Sequence, residues 1–288
     1  MTTTLKLAAE KIAALRHDLN AAGFEFRRLD HAHFQARGEG VVVNAYLSGK
    51  VVVQGKGEAV FLQAHGLAAA LPPALVEPVA GSDESGKGDY FGPLVVAAVV
   101  VDPSQETALA EAGVRDSKQM SDTAAHRAAA AIRQLCPHAV CTLTPTEYNE
   151  HHERDGNVAV FLASKHGEAL ATAIGNAPAC ARVVIDKFTS NKRLEDALKE
   201  HGVDLPVEIR PRAEDNPAVA AASVLARSEF LIGLRDLGAE YGVELPKGAS
   251  QKVETVGRRF FQDFGMEALC AVAKIHFKTT KRVTENLL

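Results

Sequence analysis

The sequence predicts an α/β protein, α+β over its whole length, in which a small helix–sheet–helix unit precedes a larger layered fold with a mixed sheet and flanking helices. Three observations carry that expectation. Apolar residues recur at helical period near the start and are followed by short strand-like runs. The stretch LPPALVEP at residues 71–78 holds three prolines and no periodicity, which marks a boundary. Beyond it, strand-like and helix-like segments alternate, the pattern of sheet and helix layers around one core.

The first helix is expected from Leu5, Ala8, Ile12, Leu15 and Leu19, which share one helix face, with Gly23 as its stop. Strand-like pieces follow at 24–29, 33–37, 41–47 and 51–54, with Ser48-Gly49 as a tight turn between the last two. A second helix is expected over 59–67. Residues 1–72 then form one domain, 73–78 a linker and 79–288 the second domain. In the second domain, Val95 to Val101 is a continuous apolar run between Pro93 and Pro103, as expected of a strand covered on both faces. Helices are expected at 124–135 and 158–174, and strands at 181–185 and 207–210. Asn216-Pro217 supplies a cap and a proline at the first helical position for a helix over 218–234.

Composition narrows the function classes. Of 288 residues, 47% are hydrophobic and 24% charged, the balance of a soluble globular protein. No run of 18 apolar residues is present, so no membrane span is expected. The N-terminus has no basic segment leading into an apolar stretch, so no secretory signal is expected either. Cys136, Cys141, Cys180 and Cys270 form no CxxC pair and are expected as reduced thiols of a cytoplasmic protein. A monomer is the default expectation. The net charge is −4; residues 1–72 carry eight Lys/Arg against six Asp/Glu, or +2, which leaves −6 for the rest. An acidic excess in the larger domain suits carboxylates gathered around metal ions.

The densest chemical signal is GSDESGKGDYFGPL at residues 81–94. Two adjacent carboxylates, Asp83 and Glu84, close a strand and are followed at once by Gly86, Lys87 and Gly88. Glycines admit close backbone approach, and consecutive amides in such a turn bind anions. Acids beside a phosphate-binding turn make physical sense when divalent cations sit between them. The alternative is a solvated acidic turn, and this motif alone does not decide. A second acid, Asp186, ends the apolar strand VVID, where sites of open α/β sheets collect. Glu214 and Asp215 stand directly before a helix start, as ligands or as simple helix-dipole partners. Three acidic clusters of this kind fit hard cations with oxygen ligands.

Together, DESGKGDYFGPL, Asp116-Ser-Lys118, VVIDKF and RAEDNPAVAAASVLAR resemble the ribonuclease HIII family of type 2 ribonucleases H, in the family's order across residues 79–282. The segment KIHFKTT at 274–280 resembles the family's end, and the N-terminal unit resembles its TBP-like domain. The resemblance implies an RNase H-like fold and endonucleolytic hydrolysis of the RNA strand of RNA–DNA hybrids, leaving 5′-phosphate and 3′-hydroxyl ends. It implies two Mg²⁺ or Mn²⁺ ions on Asp83, Glu84, Asp186 and a fourth acid, Glu214 or Asp215. It also implies substrate contacts at Gly86, Lys87, Gly88 and Lys118. Incision at single ribonucleotides and idle hybrid binding are the competing functions. In the more basic N-terminal unit, Arg27, Arg28, Arg37, Lys50 and Lys56 are candidate phosphate contacts. Phe34 and Tyr46 are expected as core first and stacking residues second. His151-His152 makes no metal pair, since adjacent residues do not share a helix face. His166 is expected as a structural histidine. Ser85 and Ser223 show no triad partner.

Overall fold

The computed structural model describes residues 2–67, 75–114, 117 and 120–285. The chain divides into two compact units, Met1–Pro73 and Ala74–Leu288.

The first unit opens on a strand, β1 (Thr2–Lys6), where the sequence reading starts the helix at Leu5. Three consecutive threonines favour extended backbone, and β1 pairs antiparallel with the fifth strand. Leu5 still faces the core, so its contribution to the apolar pattern is real but belongs to a strand. The helix α1 follows (Ala9–Ala21), then β2 (Glu25–Arg27), β3 (Ala32–Gly38), β4 (Val41–Tyr46), β5 (Lys50–Gly55) and α2 (Glu58–Ala64). The sheet order is β1-β5-β4-β3-β2, antiparallel throughout. Ile12, Leu15 and Leu19 of α1 and Phe61 of α2 pack with Val43, Val53 and Phe34, so both helices cover one face. On the other face the pairing aligns Thr4, Val52, Asn44, Gln35 and Arg27 across all five strands. Gln35 donates to Asn44 at 2.7 Å within that row.

The second unit is built on β6 (Val79–Ser85), β7 (Leu94–Val101), β8 (His138–Leu143), β9 (Arg182–Asp186) and β10 (Val207–Arg210). Their order is β10-β9-β6-β7-β8, with β6 central. It runs antiparallel to β7 and parallel to β9. The helices are α3 (Glu106–Glu111), α4 (Asp122–Leu135), α5 (Pro145–Asp155), α6 (Val158–Gly175), α7 (Asn191–Glu200), α8 (Pro217–Tyr241), α9 (Gln251–Val272) and α10 (Lys278–Thr284). β7 explains its own apolar run. Val95, Ala97, Val99 and Val101 enter a core with α4 and α8, while Leu94, Val96, Ala98 and Val100 enter another with α6 and α7. A strand covered on both faces has no solvent side to mark with polar residues. Leu75 joins the first of these cores, and Glu77 pairs with Arg182 on β9.

α8 runs two turns beyond the expected end, to a left-handed Gly242 cap. It is long and apolar enough to cross a membrane by length and composition, but 67% of its most apolar window is buried inside the protein. α5 escapes the apolar-period reading because its sequence PTEYNEHHERD is polar. Its start is nonetheless encoded: Thr144 and Glu147 cap it reciprocally, with Pro145 at the first position. The four cysteines are unpaired.

Candidate active site

The end of β6 carries the site, and α8 sets its depth. A Cβ at Gly81 would stand 2.3 Å from the amide nitrogen of Val219, so only glycine lets the start of α8 lie directly on β6. Small residues Ala218, Ala221 and Ala222 complete that close packing. Two residues further along β6 and one helical turn further along α8, Asp83 meets the hydroxyl of Ser223, which hydrogen-bonds it. Ser223 in turn shares a 2.9 Å hydrogen bond with Ser117. The serine that shows no triad partner in sequence thus holds a carboxylate rather than attacking anything.

Asp83 and Glu84 are locally coupled, since the Glu84 amide donates to Asp83 at 2.8 Å. Burial pushes the Asp83 carboxyl up to about 6, with help from the neighbouring Glu84 charge and against the Ser223 bond. Burial also opposes ionisation of Glu84, but His166 and Lys87 outweigh it and hold that carboxyl below its ordinary range. Glu84 Oε1 lies 3.2 Å from Lys87 Nζ, and its Oε2 lies 3.3 Å from His166 Nε2. His166 is buried, shares a 2.8 Å hydrogen bond with Ser82 through Nδ1, and stacks on Phe188 at 4.8 Å. Lys87 sits over the other partner of that stack, 5.0 Å from the Phe188 ring. The sequence reading prefers a structural role for His166 over a substrate role; its Nε2 faces the Glu84 carboxylate. Its signal in sequence was weak, a lone histidine on the inward face of an apolar helix.

Asp83, Glu84 and Asp186 line one cleft of about 350 Å³, together with Ser85, Gly86, Lys87 and Gly88. Parallel pairing of β9 with β6 brings Asp186 there, one residue beyond the Ser82–Ile185 pair. Asp186 also accepts a long 3.4 Å contact from the Ala213 amide, at the turn that carries the remaining acids. In that 3-10 turn, Ala213–Asp215, the two candidates for the fourth acid part company. Asp215 is exposed and ion-paired with Arg210, whereas Glu214 is half-buried and has no such partner among the described residues. Neither lines the cleft. Lys118 and Asp116 lie outside the described residues; Ser117 between them is buried against Ser223.

The donor set is all carboxylate oxygen at the centre, which suits Mg²⁺ or Mn²⁺ and not a thiophilic ion. Among the described residues, no three His, Cys, Asp or Glu side chains are drawn together as a ready-made ion cage. Asp83 is nevertheless disfavoured as an anion, first by burial and then by the neighbouring Glu84 charge, and a cation between the acids would relieve that.

In the first unit, Arg27, Arg37 and Lys50 belong to the face of the sheet opposite the helices. Arg28 follows β2 and Lys56 follows β5, both exposed. Phe34 points into the helix-side core and meets Phe26 edge-on at 5.5 Å, so it cannot stack on a ligand. Tyr46 is half-buried.

Residues 80–280 match the family model described as Ribonuclease HII, and residues 2–73 match a domain of unknown function (DUF3378). Among curated relatives, a ribonuclease HIII of Protochlamydia amoebophila is 37% identical, covering 96% of this chain and 94% of its own. One of Chlamydia pneumoniae is 38% identical over 92% of both. The solved structure of Bst-RNase HIII in complex with Mn²⁺ superposes with a TM-score of 0.70 at 31% identity, covering 99% of this chain and 98% of that one. Aquifex aeolicus RNase H3 superposes with a TM-score of 0.58 at 26% identity, covering 96% of this chain and 100% of that one.

Proposed function

Since the chain belongs to the ribonuclease HIII family, whose members it matches from end to end, we propose that it cuts the RNA strand of RNA–DNA hybrids endonucleolytically, leaving 5′-phosphate and 3′-hydroxyl ends. It is a metal-dependent ribonuclease with the mixed α/β fold of that family. The observation that carries the proposal is the convergence of Asp83, Glu84 and Asp186 with the Gly86–Gly88 turn in one cleft.

Asp83, Glu84 and Asp186, with Glu214 as the fourth acid, would hold two Mg²⁺ or Mn²⁺ ions, which supply an activated water and charge stabilisation for the departing 3′-oxygen. His166, fixed by Ser82, holds Glu84 in place, and Ser223 does the same for Asp83. Lys87 Nζ lies 3.2 Å from Glu84 Oε1, and its exposed side chain is able to turn to a phosphate. Gly88 has open space around it, so an RNA backbone can approach its amide, where contact with a 2′-hydroxyl distinguishes RNA from DNA. The N-terminal unit binds the same hybrid through the polar sheet face with Arg27, Arg37 and Lys50, aided by Arg28 and Lys56. Its excess of basic residues supports that role. The enzyme works as a cytoplasmic monomer.

The test is one labelled RNA–DNA hybrid incubated with Mg²⁺, Mn²⁺ or EDTA, beside a DNA duplex carrying a single ribonucleotide. Internal cleavage of the hybrid with either metal and none with EDTA is the expected result. Cleavage confined to the single-ribonucleotide duplex would replace the proposal with ribonuclease HII-like incision. Binding without cleavage under every condition would make the protein an idle hybrid binder.

A further inference from the structure

The glycine turn is fixed upstream by β6, but its downstream end depends on a distant part of the chain. Residues 89–92 lie between the segments at 248 and at 272–274. The Tyr90 amide donates to the Gly248 carbonyl at 2.9 Å, and the Gly248 amide to the Asp89 carboxylate at 2.6 Å. The Gly92 amide donates to Val272 and the Lys274 amide to Tyr90.

Beneath this strip sits the side chain of Lys274, which is completely buried. Its Nζ donates to the carbonyls of Asp89 at 3.0 Å and Gly92 at 2.6 Å, and lies 5.6 Å from the face of Tyr148. No carboxylate pairs with it among the described residues. Burial pushes its ammonium down to about 7, against the pull of the Asp89 charge. A buried cation bonded only to carbonyls is a costly way to fill a core, where methionine would pack without the charge. What the ammonium does that methionine cannot is grip both ends of the strip that follows Gly88.

We propose that Lys274 is a positioning residue that holds the Gly86–Gly88 turn at the height where its backbone meets the RNA strand. The inference rests on the reading of that turn as the substrate contact. Lys274 touches neither substrate nor the reacting atoms, so its removal should weaken selection of the hybrid and leave the acids free to work.

The experiment compares the full-length wild type with Lys274→Met and Lys274→Gln on the same hybrid, with Mn²⁺ and duplex DNA as competitor. In Lys274→Met, KM should rise about tenfold and the preference for hybrid over duplex DNA should fall by a similar factor, with kcat within about threefold. Lys274→Gln keeps N–H donors for the two carbonyls and should recover a large part of the loss. A folded Lys274→Met with unchanged KM and unchanged preference overturns the proposal. So does an equal fall of kcat in both variants, which would mark general damage. Should Lys274→Met not fold, the same KM rise is expected in weaker form in Lys274→Gln, and unfolding of both variants would leave Lys274 a structural residue and also overturn the proposal. A wild type that does not cut the hybrid at all defeats the functional reading itself, an outcome distinct from wild-type cleavage with an indifferent Lys274→Met.

Discussion

Asp83 shows how a site can be destabilising on its own. Its folded carboxyl titrates near 6 against an ordinary 3.8. Between those values the folded state holds the proton more tightly than the unfolded chain, so metal-free stability falls as pH rises from about 4 to 6 and stays lower above. Asp83→Asn should therefore stabilise the EDTA-treated protein at pH 8 by about 1–3 kcal/mol, with the gain gone near pH 4. The same variant should lose roughly 10³-fold or more in activity. Thermal melts at the two pH values, with and without Mn²⁺, check both halves; a metal-free variant no more stable than wild type at pH 8 contradicts the first. The fourth acid is separable in the same way. Asp215 is occupied by Arg210 at the surface, so Asp215→Asn should leave kcat within about threefold, while Glu214→Gln should cost more than about tenfold. Steady-state rates of the pair decide, and the reverse ranking would assign the role to Asp215.

At the level of elements, the glycine turn has two different kinds of glycine, although the sequence presents GKG as one motif. Gly86 has φ +89, and a Cβ there would stand 2.1 Å from the Pro93 carbonyl oxygen and 2.8 Å from the Phe230 ring. Gly88 meets nothing within 4 Å. Gly86→Ala should thus destabilise the enzyme by roughly 2–4 kcal/mol, read from denaturant melts, with activity falling alongside. Gly88→Ala should change stability by no more than about 0.5 kcal/mol yet lower the hybrid-over-DNA preference about tenfold. Equal losses of stability in the two variants would reduce the turn to a structural device. The contact of α8 with β6 through Gly81 is the other element-scale determinant, because it delivers Ser223 to Asp83.

On the scale of the whole molecule, the proposed function gives chemistry to the second unit and substrate binding to the first. The first has its own helix-covered core and a polar opposite face, and a basic module tethered to a nuclease raises the local concentration of substrate. An enzyme starting at residue 75 should keep metal-dependent cleavage but show a KM raised about tenfold or more, with a shallower dependence of binding on salt. Residues 1–73 alone should bind hybrids weakly without cutting them. A folded truncated enzyme with wild-type KM at every salt concentration would remove the N-terminal unit from substrate binding.

Local residue choice was enough to reveal β7, whose apolar run needs two cores; α6 and the start of α8; the β4–β5 turn; and the acids Asp83, Glu84 and Asp186 at strand ends. Each of these follows from interactions within a few residues or from a periodicity that any buried face imposes. The rest depended on contacts far apart in the chain. β1 is a strand because β5 offers it a ladder, and α5 packs through a few residues on an otherwise polar helix. Phe34 lies inward because the strand register sets its face. His166 is 82 residues from Glu84, and Lys274 is 182 from Gly92, so no local pattern announces either. Burial and hydrogen-bond partners are properties of the packed molecule, and only packing turned an apolar helix's histidine and a C-terminal lysine into supports for the site.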